Sequence, residues 1–235
     1  MGVGKRLAKG LAPMATRIAP SLTAGFLRDV LKLAIAGFGP LPGAEAAAQA
    51  RLESSGNDVD KAIHDLIESH VRLAGAQGFV TNLGGLITMA VAVPANVSGV
   101  ALLQCHLVAA IAHLRGYDLQ DPRVRNAVLA CLLGEDGLKL LLKSGTLPST
   151  PMSIATAPAH DPGLDQLIAS EVTAALIARV SGRKVVTSAA RRTPVLGGGI
   201  GAVSDGFATY RVGRYADREL LPRTTPRVGT GAGTR

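Results

Sequence analysis

The sequence predicts an all-α protein, a compact multi-helix bundle around two central apolar, glycine-rich helices. Three observations lead there. No stretch alternates apolar and polar residues over a strand length. Apolar residues recur instead at helical spacing: Val59, Ile63, Leu66, Ile67, Val71 and Ala74 form one face, opposite Asp60, Lys61, Asp65, Glu68 and Arg72. Finally, the 42 residues from Leu73 to Leu114 contain no Asp, Glu, Lys or Arg. Apolar residues make up 47% of the 235, yet aromatics only 3%, with no Trp and 28 Gly. Burial must therefore rest on aliphatic side chains and close helix approach, a mixture found in soluble bundles and membrane helices alike.

Taken in order, Val3, Leu7, Leu11, Met14 and Ile18 stand at helical spacing, interrupted by Pro13 and Pro20. A helix over 21–37 follows, and the run 37–43, with three Gly and two Pro, breaks it. An Ala-rich helix over 44–54 stops at Ser55-Gly56, and Asn57 or Asp58 caps the amphipathic helix that follows. In the charge-free run, a helix over 78–92 is expected, then a second that opens with Pro94 in its first turn and runs to Arg115, closed by Gly116. Its length suffices for two membrane-length helices of roughly 20 residues each. Gln77, Thr81, Asn82, Asn96, Ser98, Gln104, His106 and His113 interrupt it, and a buried central pair is the reading preferred. Asp121-Pro122 caps the next helix, a short one covers 135–143, and 144–163, with four Pro, reads as a loop. Leu164 to Val180 is amphipathic, and Pro194 opens a Gly-rich helix ending near Arg218.

The net charge of +8 is unevenly placed. Residues 1–32 hold six basic side chains against one acidic, residues 33–178 eight against thirteen, and residues 179–235 eleven against three. Basic ends attract polyanions, either nucleic acid or an anionic leaflet. Cys105 and Cys131 lie in apolar helical stretches and are expected as buried free thiols. The first residues lack an apolar core, because Lys9 and Arg17 bracket Gly10 and Pro13, so no signal peptide is expected.

Three segments carry a family resemblance. The first is Gly78-Phe79-Val80-Thr81-Asn82-Leu83-Gly84-Gly85-Leu86, running on to Val93-Pro94-Ala95-Asn96. The second runs from Leu103-Gln104-Cys105-His106 through His113-Leu114-Arg115-Gly116-Tyr117 to Asp121-Pro122-Arg123. The third is Gly197-Gly198-Gly199-Ile200-Gly201-Ala202, then Asp205, Thr209 and Val212-Gly213-Arg214-Tyr215-Ala216. In order and spacing, over roughly residues 44–216, the chain resembles the EcsC family. The resemblance implies a helical domain, no established catalytic residue, and a setting near membrane transport or protein secretion. The organisation expected is a basic helical segment at 1–43, an EcsC-like helical domain at 44–218 with its Pro-rich loop at 144–163, and a disordered basic tail at 219–235.

Candidate chemistry is sparse. Gly199-Ile200-Gly201-Ala202 lacks the preceding strand of a dinucleotide fingerprint, and no cofactor is expected. Gly197–Gly201 and Ala202–Gly206 instead have the small-xxx-small spacing that lets helices approach closely. His106 and His113 share a helix face two turns apart, a spacing poorly suited to metal ligation, and no metal is expected. His64 and Glu68 make a surface pair. Asp205 is a carboxylate in an apolar helix, and Thr209, Arg211 or Arg214 is expected to satisfy it. The structural motif positions are thus Gly84, Gly85, Pro94, Asp121, Pro122, Gly197, Gly201 and Asp205.

Arg211, Arg214 and Arg218 form a basic stripe, which with Lys5, Arg6 and Lys9 is the expected polyanion-binding set. Scarce aromatics disfavour nucleic acid and favour an anionic membrane surface. The leading expectation is a membrane-associated accessory protein, peripheral to or partly inserted in the inner membrane from the cytoplasmic side, with a protein partner or homo-oligomer open. The alternatives are a hydrolase-like soluble enzyme with a site near His106 and His113, and a packing subunit of a larger assembly.

Overall fold

The computed structural model describes residues 24–38, 41–83, 89–190 and 194–223, with side chains described over 25–37, 41–76, 99–179 and 204–223. The described residues are mostly helical: α1 (Ala24–Ala36), α2 (Ala44–Ser54), α3 (Val59–Leu83), α4 (Met89–Leu114), α5 (Pro122–Cys131), α6 (Gly134–Lys143), α7 (Pro151–Ala155), α8 (Pro162–Ala190) and α9 (Pro194–Glu219). A two-residue antiparallel ladder, β1 (Gly37–Phe38) with β2 (Leu41–Pro42), pairs Gly37 with Pro42 and Phe38 with Leu41.

Helix boundaries follow local chemistry. Asp58 accepts the Lys61 amide on its side chain at 3.0 Å and so starts α3. Asp121 accepts the Arg123 amide at 2.8 Å with Pro122 in the first turn of α5, as the sequence requires. At the end of α4, Gly116 adopts φ +84°; its amide reaches His113 O and the Tyr117 amide reaches Ala112 O, closing the helix in a left-handed cap. From the far side, Arg179 of α8 donates to the carbonyls that follow α5, Leu132 O at 3.0 Å and Leu133 O at 2.9 Å.

Three boundaries differ from expectation. The amphipathic helix does not stop before Gly78 but continues as one element to Leu83, and the next begins at Met89, so Pro94 lies inside α4 rather than opening it. Pro94 is the sixth residue of α4, where a proline forfeits the bond to the carbonyl four residues back, so it interrupts the helix ladder rather than marking its start. Residues 144–163 are not a plain loop. Thr150 caps the short α7, Ile154 and Ala155 are buried, and Arg123 holds the Ala157 carbonyl. The segment after α9 is tied down through Arg223: Leu220 is buried, Tyr117 Oη donates to Leu221 O at 3.0 Å, and the Arg223 amide donates to Arg115 O at 2.8 Å. The motif positions Gly84 and Gly85, residues 1–23 with Lys5, Arg6 and Lys9, and residues 224–235 lie outside the described residues, as do any side-chain contacts of Pro94 and of Gly197 and Gly201 on α9.

The centre of the bundle is α4, packed by α1, α2, α3, α5, α8 and α9. Its residues Leu107 to Ala112 are all fully buried. On α3 and α4 lies α9, at so short a range that a Cβ on Gly213 would fall 2.9 Å from Ile67 Cγ1 and Leu107 Cδ2. Seven residues earlier, a Cβ on Gly206 would lie 3.3 Å from Val71 O. As α9 advances from 206 to 213 its partner on α3 moves back from 71 to 67, so the two helices run antiparallel. The C-terminus of α3 and the N-terminus of α9 therefore share one end of the bundle. The start of α4 and the end of α8 join them there through short links.

Candidate functional site

The charge-free sequence of α4 hides a polar seam. Gln104, His106, His70, Asp205 and Thr209 are all 4% exposed or less. Burying such groups is costly unless they find partners. Toward α9, Gln104 Nε2 donates to Thr209 Oγ1 at 3.4 Å, while its Oε1 has no partner among the described residues. Asp205 precedes Thr209 by one turn of α9. The arginines expected to satisfy it go elsewhere: Arg211 to Asp136 of α6, and Arg214 to Asp217 at 3.1 Å.

On another face of α4, His106 meets His70 of α3, with His70 Nε2 2.9 Å from His106 Nδ1. The remaining nitrogens face backbone carbonyls, His70 Nδ1 at 2.8 Å from Leu66 O and His106 Nε2 at 2.9 Å from Pro42 O. Burial pushes His70 down to about 4, and lowers His106 as well. The sequence reading coupled His106 to His113. The structure couples it to His70, 36 residues away on the amphipathic α3. The only local hint was the position of His70, one turn beyond Leu66 on the apolar face. Cys105 is buried beside the pair, its thiol pushed up to about 12 by burial, and Cys131 is likewise a buried free thiol. Among the described residues no three His, Cys, Asp or Glu converge to hold a metal ion.

The basic stripe is present on α9 but compensated. Arg211 pairs with Asp136, and Arg218 pairs with Glu135 at 2.7 Å, both acids in the first turn of α6. Arg115, only 13% exposed, joins Asp217 at 2.8 Å to Asp60 at 3.0 Å, tying α4, α9 and α3. Of the three arginines predicted to share a cationic face, two are thus held by α6 and Arg214 by Asp217 of its own helix. His64 and Glu68 form the expected surface pair at 3.2 Å.

Uncompensated apolar surface lies nearby. Leu73 of α3 and Phe207 and Tyr210 of α9 are exposed, Phe207 at 61%, close to the level where Gly206 meets Val71. Exposed aromatics are informative in a chain with so few. Among the described residues no helix is long and apolar enough to cross a membrane.

Fold and seam together define a class: an all-α domain wound on one buried apolar helix, with polar groups sealed inside it. The chain belongs to the EcsC protein family, whose match covers residues 43–223. That range starts at Gly43, just past the hairpin that carries Pro42, and ends on Arg223, whose amide is tied to Arg115 O. No curated protein and no solved structure matches the chain.

Proposed function

We propose that this chain is a membrane-associated accessory protein that docks on an anionic bilayer by the exposed flank of the α3–α9 pair. The observation that carries this reading is the exposure of Leu73 on α3 and of Phe207 and Tyr210 on α9. Aromatic and aliphatic side chains of this kind enter the interfacial zone of a bilayer, where a Tyr hydroxyl stays hydrated. The sequence supports it: residues 73–114 carry no Asp, Glu, Lys or Arg, and the link between α8 and α9 carries Arg191 and Arg192, suited to anionic headgroups. Arg211, Arg214 and Arg218 contribute less than their spacing suggests, because acids of the same molecule already hold them. A place beside membrane transport or protein secretion rests on the family resemblance.

Vesicle flotation tests the reading. The full chain should float with vesicles containing anionic lipid and much less with neutral ones. Raised salt should weaken binding, because headgroup attraction fades within about 8 Å at physiological ionic strength. The combined Leu73→Ser, Phe207→Ser and Tyr210→Ser variant should stay folded and lose most of the binding. Equal flotation with neutral and anionic vesicles, or unchanged binding by the triple variant, would overturn it.

A further inference from the structure

The His70–His106 contact has a proton count that two neutral rings do not satisfy. Carbonyl oxygens only accept, so His70 Nδ1, against Leu66 O, and His106 Nε2, against Pro42 O, must each carry a hydrogen. In neutral imidazoles this leaves one bare lone pair on His70 Nε2 and another on His106 Nδ1, and these face each other at 2.9 Å. The rings are inclined by only 25° with centroids 5.1 Å apart. Rings stacked face to face stay about 3.5 Å apart, so nitrogens at 2.9 Å meet nearly edge to edge, each lone pair directed at the other. One hydrogen between them turns repulsion into a charge-assisted N–H···N bond and satisfies all four nitrogens. A tetrahedral metal ion bound at about 2.0–2.1 Å needs the two nitrogens about 3.3 Å apart, more than this gap offers.

We propose that His70 and His106 form a buried site for a single proton, shared between His70 Nε2 and His106 Nδ1, which ties the 37–42 hairpin to the α3–α4 core. The site takes one proton and excludes a second. Burial and the positive field of Arg51 on α2 oppose charge at His70, and the described residues bring no carboxylate into hydrogen-bond contact with either ring. Around the pair, Cys105 is a neutral thiol, and Asp205 sits on α9, the side to which Gln104 turns. The pairs Asp29–Lys32 and His64–Glu68–Arg72 are solvated on the outer faces of α1 and α3. When the proton leaves, one of the three contacts must open. The bond to Pro42 is the weakest held, because it ends on a two-residue ladder rather than inside a helix.

Two opposite pH effects follow. Both histidines sit below the ordinary imidazole value of 6.5 in the folded chain. The unfolded chain therefore takes up two protons where the folded one takes one. Global stability is fully present above that value and falls as pH falls through the acidic range toward about 4. Over the same range the hairpin tightens, as the shared proton loads.

Ring-nitrogen NMR of the full chain labelled in histidine, followed from neutral into mildly acid pH, tests the site. Both rings should titrate as one event worth one proton, with a strongly deshielded shared hydrogen, while amide exchange over 37–44 slows. In His70→Gln a neutral amide N–H replaces the shared proton, so His106 should remain neutral and the hairpin should lose its pH dependence. Two separate one-proton titrations, no uptake by either ring before acid unfolding, or a melting temperature raised by added Zn(II) would each overturn the proposal. Should His70→Gln fail to fold, the proton count on the unsubstituted chain decides alone.

Discussion

At Gly213 a single hydrogen in place of a side chain lets α9 reach α3 and α4 together. A Cβ there would come within 2.9 Å of the Ile67 Cγ1 methylene and the Leu107 Cδ2 methyl on two different helices, packed too closely to give way freely. Gly213→Leu should therefore cost about 1–3 kcal/mol or more through overpacking, read as a lowered melting temperature. An unchanged melting temperature would show that the helices separate freely. Asp121 acts differently, by capping α5 and gripping Arg123 at 3.0 Å. The hydrogen bond from Arg123 is the main cause that holds its carboxyl below the usual range. Its contribution is thus present above the unfolded value and lost as pH falls through the lowered one. Asp121→Ala should cost about 0.5–2 kcal/mol at neutral pH, and the gap to the parent chain should close in acid denaturation.

Among the elements, those with punctuation at both ends are the ones most legible in sequence. Asp121-Pro122 and Gly116 mark their helix ends because each solves a local problem of unpaired backbone groups. Pro94 misleads because a proline is favoured in a first turn, whereas here five helical residues from Met89 precede it. The segment after α5 stops at Gly134, at φ +71°, and the carbonyls of Leu132 and Leu133 just before it take Arg179 from α8, 47 and 46 residues away. Arg179→Met keeps the length of the half-buried side chain and removes the donors to both carbonyls. It should destabilise the chain by about 1–3 kcal/mol, and exchange should rise first at the end of α5. A stability loss with no local change in exchange would place the role of Arg179 elsewhere.

Across the whole molecule, α4 binds six other helices into one core, and slow exchange should centre on residues 100–112 rather than on α1 or α6. The helical class, the burial of Cys105 and Cys131 and the surface pair His64–Glu68 were readable from the chain, because periodicity, apolarity and four-residue spacing are local properties. The exposed apolar group was not, since Leu73 and Phe207 look like core residues until neighbouring helices leave them uncovered. Nor was the fate of Arg211 and Arg218: spacing put them on one face, but only the docking of α6 set Asp136 and Glu135 against them. The seam shows the same division most clearly. Sequence alone determined that two histidines lie in helices that bury an apolar face. Tertiary structure decided that they meet, because a contact between residues 36 apart depends on the crossing of α3 with α4, and no local pattern encodes the register of that crossing.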